Sequence, residues 1–132
     1  MKIFKVAVIG CGRISYKGIE AIVNNKEFLK LAAVCDPVEE KAIAKKKEYL
    51  EKINEDHSVS IYRDYMEMLE KEQIDIAYIA TESGYHPEIS INCMNKGINV
   101  VVEKPMALSI SDAEAMIESA KKNGVKLCIA HQ

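Results

Sequence analysis

What most constrains this chain is an alternation, repeated from end to end, of short apolar runs with longer segments of helical periodicity. Ile3 to Ile9, Leu29 to Cys35, Val59 to Tyr62, Ile74 to Ala80, Ile98 to Val102 and Val125 to Ala130 have the length and β-branched content of strands. Between them, Arg13 to Asn25 carries Ile14, Ile19, Ile22 and Val23 on one face, and Glu39 to Asn54 carries Ala42, Ile43, Leu50 and Ile53. A helix with Met66, Met68 and Leu69 starts at Asp64, another runs from Pro87 to Lys96, and a last one from Ser111 to Lys122. Asp64 with Glu67, and Ser111 with Glu114, have capping-box spacing. Pro87 suits a first helical turn, while Gly97 and Asn123-Gly124 suit helix stops. Strands that are apolar throughout must be covered on both faces, which requires a parallel sheet between two helix layers. Right-handed crossovers then predict a doubly wound α/β fold, a mostly parallel sheet of six strands flanked by helices, in the order 3-2-1-4-5-6.

At 132 residues the chain is long enough for one domain with a real core, and neither an internal repeat nor a linker divides it. A net charge of -2 offers no basic face to nucleic acid or an anionic membrane, so neither is expected as a partner. The run Lys45-Lys46-Lys47 is diluted by Glu39, Glu40, Glu48 and Glu51 and reads as a solvated helix face. No apolar stretch approaches the roughly 20 residues that span a bilayer, and Met1-Lys2 leads straight into a strand without a signal segment. Cys11, Cys35, Cys93 and Cys128 are scattered, with no C-x-x-C pair. They read as reduced thiols of a cytoplasmic protein, with no metal site expected.

Two motifs carry chemistry. In Gly10-Cys11-Gly12-Arg13-Ile14-Ser15 an apolar strand must turn sharply into a helix. Gly10 permits the turn, and Gly12 lets the backbone approach a pyrophosphate at the helix N-terminus, where free N–H groups and the dipole favour negative charge. Ser15 stands where the usual fingerprint has glycine or alanine. Asp36 ends the second strand, near the distance at which an acid meets the ribose hydroxyls of a dinucleotide. Its bland alternative is a cap for the next helix, helped by Pro37. A carboxylate with no arginine beside it in the chain repels a 2′-phosphate, so NAD is preferred over NADP. Gly18 is out of place inside a helix, at a cost of about 1 kcal/mol relative to alanine. It marks either close approach of another backbone or a tolerated defect.

The second motif is Glu103-Lys104-Pro105, which closes the fifth strand at the same edge of the sheet. A lysine held there can donate to a substrate hydroxyl and help move its proton. Glu103 can accept from a ribose hydroxyl, and Pro105 fixes the turn, by a cis peptide if required. In the loop after the fourth strand, Thr81 and Ser83 are candidates for hydrogen bonds to ribose or phosphate, and His86 reads first as an N-cap ahead of Pro87.

The order G-C-G-R-I, C-D-P, A-T-E-S-G-Y-H-P-E and V-V-E-K-P-M-A-L-S resembles the Gfo/Idh/MocA oxidoreductases along the whole chain. That resemblance implies an NAD(P)-binding Rossmann domain, here residues 1–132, followed by an α/β substrate domain that this chain lacks. It implies hydride transfer between a nicotinamide cofactor and a hydroxyl-bearing carbon of a sugar, sugar nucleotide or cyclitol, in a full-length enzyme that is a homo-oligomer. Lys104 would lie near the nicotinamide and the reacting hydroxyl, as the catalytic residue. Gly10, Gly12, Arg13, Ile14, Asp36, Thr81, His86 and Glu103 would line the dinucleotide. Glu82 and Gly18 depart from the family pattern, and Ile129-Ala130-His131-Gln132 resembles its last strand. The isolated chain is expected to turn over little substrate. Two other readings are a non-catalytic NAD-binding sensor, which has no need of Lys104, and an S-adenosylmethionine-dependent methyltransferase, which does not explain Glu-Lys-Pro.

Overall fold

The computed structural model describes residues 2–130, so His131 and Gln132 lie outside the described residues. Strands β1 (Phe4–Ile9), β2 (Leu29–Cys35), β3 (Ser60–Tyr62), β4 (Ile76–Ile79), β5 (Asn99–Val102) and β6 (Leu127–Ile129) alternate with five helices. These are α1 (Tyr16–Asn24), α2 (Glu39–Ile53), α3 (Tyr65–Lys71), α4 (His86–Asn95) and α5 (Ile110–Asn123). The sheet is parallel throughout, in the order β3-β2-β1-β4-β5-β6, as the apolar runs predict. The chain builds outward from β1 to β3, then returns to the other side of β1 with β4. The gap between the ends of β1 and β4 is therefore the point at which strand order reverses, where doubly wound sheets open a crevice.

Alternation along each strand divides the core in two. Ala7 and Ile9 join Met68, Ile89, Cys93, Met94 and Met116 beneath α3, α4 and α5. Val6 and Val8 join Ile19, Ile22, Leu31 and Tyr49 beneath α1 and α2. Each fully buried aliphatic side chain contributes about 1.5–3 kcal/mol, so the two apolar layers hold the sheet edge in place.

The helix ends follow local chemistry. Asp64 caps α3 by accepting from the Met66 amide at 3.0 Å. The cap of α5 is Ser109 rather than Ser111: its hydroxyl accepts from the Asp112 amide at 3.1 Å. Ser109 and Asp112 have the same spacing as Ser111 and Glu114, and the earlier pair prevails because the helix begins at Ile110. His86 is likewise not an N-cap; α4 opens with His86 itself, after Tyr85, and no side chain caps it. No described helix is long and apolar enough to cross a membrane.

Candidate functional site

The glycine turn is held on three sides by hydrogen bonds. The Gly10 amide donates to the Cys35 carbonyl at 2.9 Å, the Cys11 amide to Asp36 Oδ2 at 2.8 Å, and the Ser15 hydroxyl to the Gly12 carbonyl at 2.6 Å. Serine thus fits the third position of the fingerprint, fully buried and satisfied by the turn it closes. Gly10 has φ +93, and a Cβ there would lie 2.7 Å from both the Ala80 carbonyl carbon and the Thr81 amide nitrogen. Only glycine lets the ends of β1 and β4 come this close. Gly12 is the opposite case: nothing lies within 4 Å of where its Cβ would be. The chain then enters a 3-10 turn, Arg13–Ser15, whose first amides have no intrahelical acceptor. Arg13 and Ile14 project from it into solvent.

Asp36 is buried, and its second oxygen, Oδ1, accepts from the Val38 amide at 2.9 Å. The carboxylate therefore braces both the glycine turn and the entry to α2. The N-cap of α2 is Val38, so Asp36 is not a helix cap. Burial, aided by the Asp36 charge, pushes the Cys11 thiol up to about 12, which keeps it a neutral filler beneath the turn.

Around this turn opens a cleft of about 650 Å³, at the switch point between β1 and β4. Gly10, Gly12, Asp36 and Thr81 line it, so four of the residues expected from sequence share one wall. Lys41, Arg63 and Tyr65 also line it. The reading of Asp36 as having no arginine beside it therefore holds along the chain but not in space. Arg63 follows β3, which pairs with β2, so the arginine and the acid both come to the same cleft (Asp36 N to Tyr62 O, 3.1 Å). The predicted strand order already makes β2 and β3 neighbours, but Arg63 escaped the sequence reading because it lies far beyond Asp36 in the chain.

The remaining expected residues stand apart from the cleft wall. Ser83 is half-buried at the start of a 3-10 turn, Ser83–Tyr85. His86 is 1% exposed, with Nδ1 2.9 Å from the Pro105 carbonyl oxygen and Nε2 2.9 Å from that of Thr81. Both partners are acceptors, so the neutral ring, with one N–H, bonds one of them, and the imidazolium bonds both. Glu103 is buried and accepts a hydrogen bond from the Tyr78 hydroxyl. His86 and Glu103, expected to line a dinucleotide, are thus engaged within the protein. Lys104 alone of the Glu-Lys pair is exposed, and a cis peptide joins it to Pro105. Tyr78 escaped the sequence reading because a tyrosine within a strand reads as core.

A nicotinamide dinucleotide fits these residues. The open backbone at Gly12 suits close approach of a pyrophosphate, the free first amides suit its charge, and the Asp36 carboxylate lines the same cleft. Residues 4–131 match the Gfo/Idh/MocA family model, an oxidoreductase family with an NAD-binding Rossmann fold.

The chain belongs to the Gfo/Idh/MocA family.

Its relatives include two dehydrogenases of Bacillus subtilis. The scyllo-inositol 2-dehydrogenase (NADP(+)) IolU is 34% identical over 93% of this chain and 35% of its own length. The scyllo-inositol 2-dehydrogenase (NAD(+)) is 32% identical over 92% and 33%. Among solved structures, the WlbA dehydrogenase of Bordetella pertussis, in complex with NADH and UDP-GlcNAcA, superposes with a TM-score of 0.87. It is 29% identical, over 97% of this chain and 37% of that one. The chain spans about a third of the length of these family members.

Proposed function

We propose that this chain is the cofactor-binding domain of a longer two-domain dehydrogenase that oxidises a hydroxyl of a sugar, sugar nucleotide or cyclitol. The observation that carries this reading is the glycine turn of β1, whose bare Gly12 lines a cleft at the switch point of the sheet, ahead of the first amides of the Arg13–Ser15 turn. Gly12, Arg13 and Ile14 would hold the pyrophosphate, Asp36 a ribose, and Thr81 and Ser83 the far side of the dinucleotide. The nicotinamide, when bound, supplies the hydride acceptor. Lys104 stands at the carboxyl end of β5, where its ammonium would orient the substrate hydroxyl and take part in moving its proton. The substrate's other contacts would come from the second domain, as would a homo-oligomeric interface.

NAD is the preferred cofactor in this reading, because the Asp36 carboxylate repels a 2′-phosphate. Lys41 and Arg63 on the same cleft soften that preference, and the two Bacillus relatives use different cofactors by name. The test is a fluorescence titration of the chain with NADH and then NADPH. Tighter binding of NADH, with the preference eroded in Asp36→Ala, supports both the site and the role of the acid. Equal binding of both cofactors by wild type and variant removes Asp36 as the determinant. No binding of either at millimolar concentration overturns the dinucleotide reading for this domain.

A further inference from the structure

Lys104 sits in a turn whose residues before and after it are both tied to the interior. On one side the Glu103 amide donates to the Ile79 carbonyl at 3.0 Å, and its carboxylate accepts from the Tyr78 hydroxyl. On the other side the Pro105 carbonyl meets His86 Nδ1 at 2.9 Å. The second nitrogen of the same ring meets the Thr81 carbonyl, so one buried imidazole stands between the β5 turn and the loop after β4, bonding one of them when neutral and both as imidazolium. The phenol has its place because α1 presents Gly18 to it. A Cβ at Gly18 would lie 2.5 Å from Cδ2 and 2.6 Å from Cε2 of the Tyr78 ring. Gly18 therefore marks the close approach of a side chain, neither that of another backbone nor a tolerated defect.

We infer that Tyr78 and His86 are positioning residues for Lys104, fixing the carboxylate before it and the carbonyl after it so that the lysine is presented from a rigid turn. This rests on the reading of Lys104 as the group that meets the substrate hydroxyl. A lysine has a long, flexible stem, and its ammonium is directed only as well as its backbone origin is held. Burial, and the Glu103 carboxylate beside it, push the Tyr78 phenol well above its ordinary value. It remains an O–H donor at neutral pH. If Tyr78 merely filled space, phenylalanine would serve as well, because the ring is what packs on Gly18 and α1.

The experiment uses the chain with its lysines reductively methylated with 13C, a change that keeps their charge, and Lys104→Arg assigns the Lys104 resonance. The expected result is a Lys104 resonance distinct from those of solvent lysines and displaced by NADH. Tyr78→Phe should move it toward the solvent-lysine position and at least halve its NADH response. Glu103→Ala should do the same, whereas Glu103→Gln, which keeps an acceptor for the phenol, should retain the wild-type signal. His86→Gln should also collapse the Lys104 signal, although this buried ring is the riskier variant for folding. Unchanged Lys104 resonances in Tyr78→Phe and Glu103→Ala, with wild-type circular dichroism, overturn the inference. If NADH moves no wild-type resonance but Tyr78→Phe still shifts Lys104, positioning stands and the dinucleotide reading falls.

Discussion

The turn after β1 and the turn after β5 lie on the same edge of the sheet but are anchored by different chemistry. The first is shaped by side chains left out: Gly10 closes against Ala80 and Gly12 is bare, with the Asp36 carboxylate bracing two backbone amides. The second is built from side chains: Tyr78 holds Glu103, and the His86 ring is lodged between the Pro105 and Thr81 carbonyls. The contrast follows from what each would do. A polyanion is met by N–H groups that must be brought close, so side chains are removed. A single proton-moving lysine must be aimed, so side chains are added around it. A glycine packed on backbone, as Gly10 is, tolerates almost no substitution, whereas side-chain anchoring has partners that can be exchanged.

The harshest way to break the first turn is Gly10→Ala. Positive φ costs an alanine about 1–3 kcal/mol, and contact with the Ala80 and Thr81 backbone adds a similar amount. A loss of about 4 kcal/mol is expected in denaturant unfolding; a loss below about 1 kcal/mol would show that β4 yields and that the turn is not rigid. Gly18→Ala probes the second anchor more gently. The clash with Tyr78 should cost about 1–3 kcal/mol, less the roughly 1 kcal/mol that alanine returns in a helix. In a Tyr78→Val background the same change should become neutral or stabilising, and additivity of the two would sink the contact as its cause.

Gly12→Ala sharpens the comparison, because it separates fold from ligand. With φ -77 and nothing near its Cβ, it should leave stability within about 0.5 kcal/mol. NADH affinity should nonetheless fall about tenfold, equivalent to about 1.4 kcal/mol, as the methyl enters the cradle. Wild-type affinity in that variant would place the pyrophosphate elsewhere.

The smallest effect concerns the thiols. Burial pushes Cys11, Cys35 and Cys93 each up to about 12, so at pH 8 iodoacetamide should label exposed Cys128 alone in the native chain. The unfolded chain releases those three protons near pH 9 and the folded chain only near 12. Their contribution to stability is therefore whole below pH 9 and lost as pH rises from about 9 to 12. Native labelling of Cys11 would show that the first turn opens.

Much of the first turn was legible in sequence because it follows a fingerprint of recurring spacing. A strand, a sharp turn and a helix leave glycine at Gly10, and Asp36 ends the next strand of the same unit. A parallel sheet followed from apolar runs needing cover on both faces, and its order from the crossover rule. Thr81 also reached the cleft as expected. At the second turn the cap reading of His86 failed: Pro87 suggested an N-cap, but the ring is buried between the Thr81 and Pro105 carbonyls. The Tyr78 hydroxyl on Glu103 was not legible either, because a strand tyrosine reads as core.

By itself the sequence determined the parallel α/β fold, the glycine turn and the acid at the end of the next strand, since each follows from periodicity or from a fingerprint of recurring spacing. The tertiary structure alone decided the partners of Tyr78, the purpose of Gly18, the burial of His86 and Glu103, and the presence of Arg63 on the same cleft as Asp36. These contacts join residues distant in the chain through neighbouring strands and helices packed across the sheet, and no local pattern encodes a contact whose two halves are specified separately.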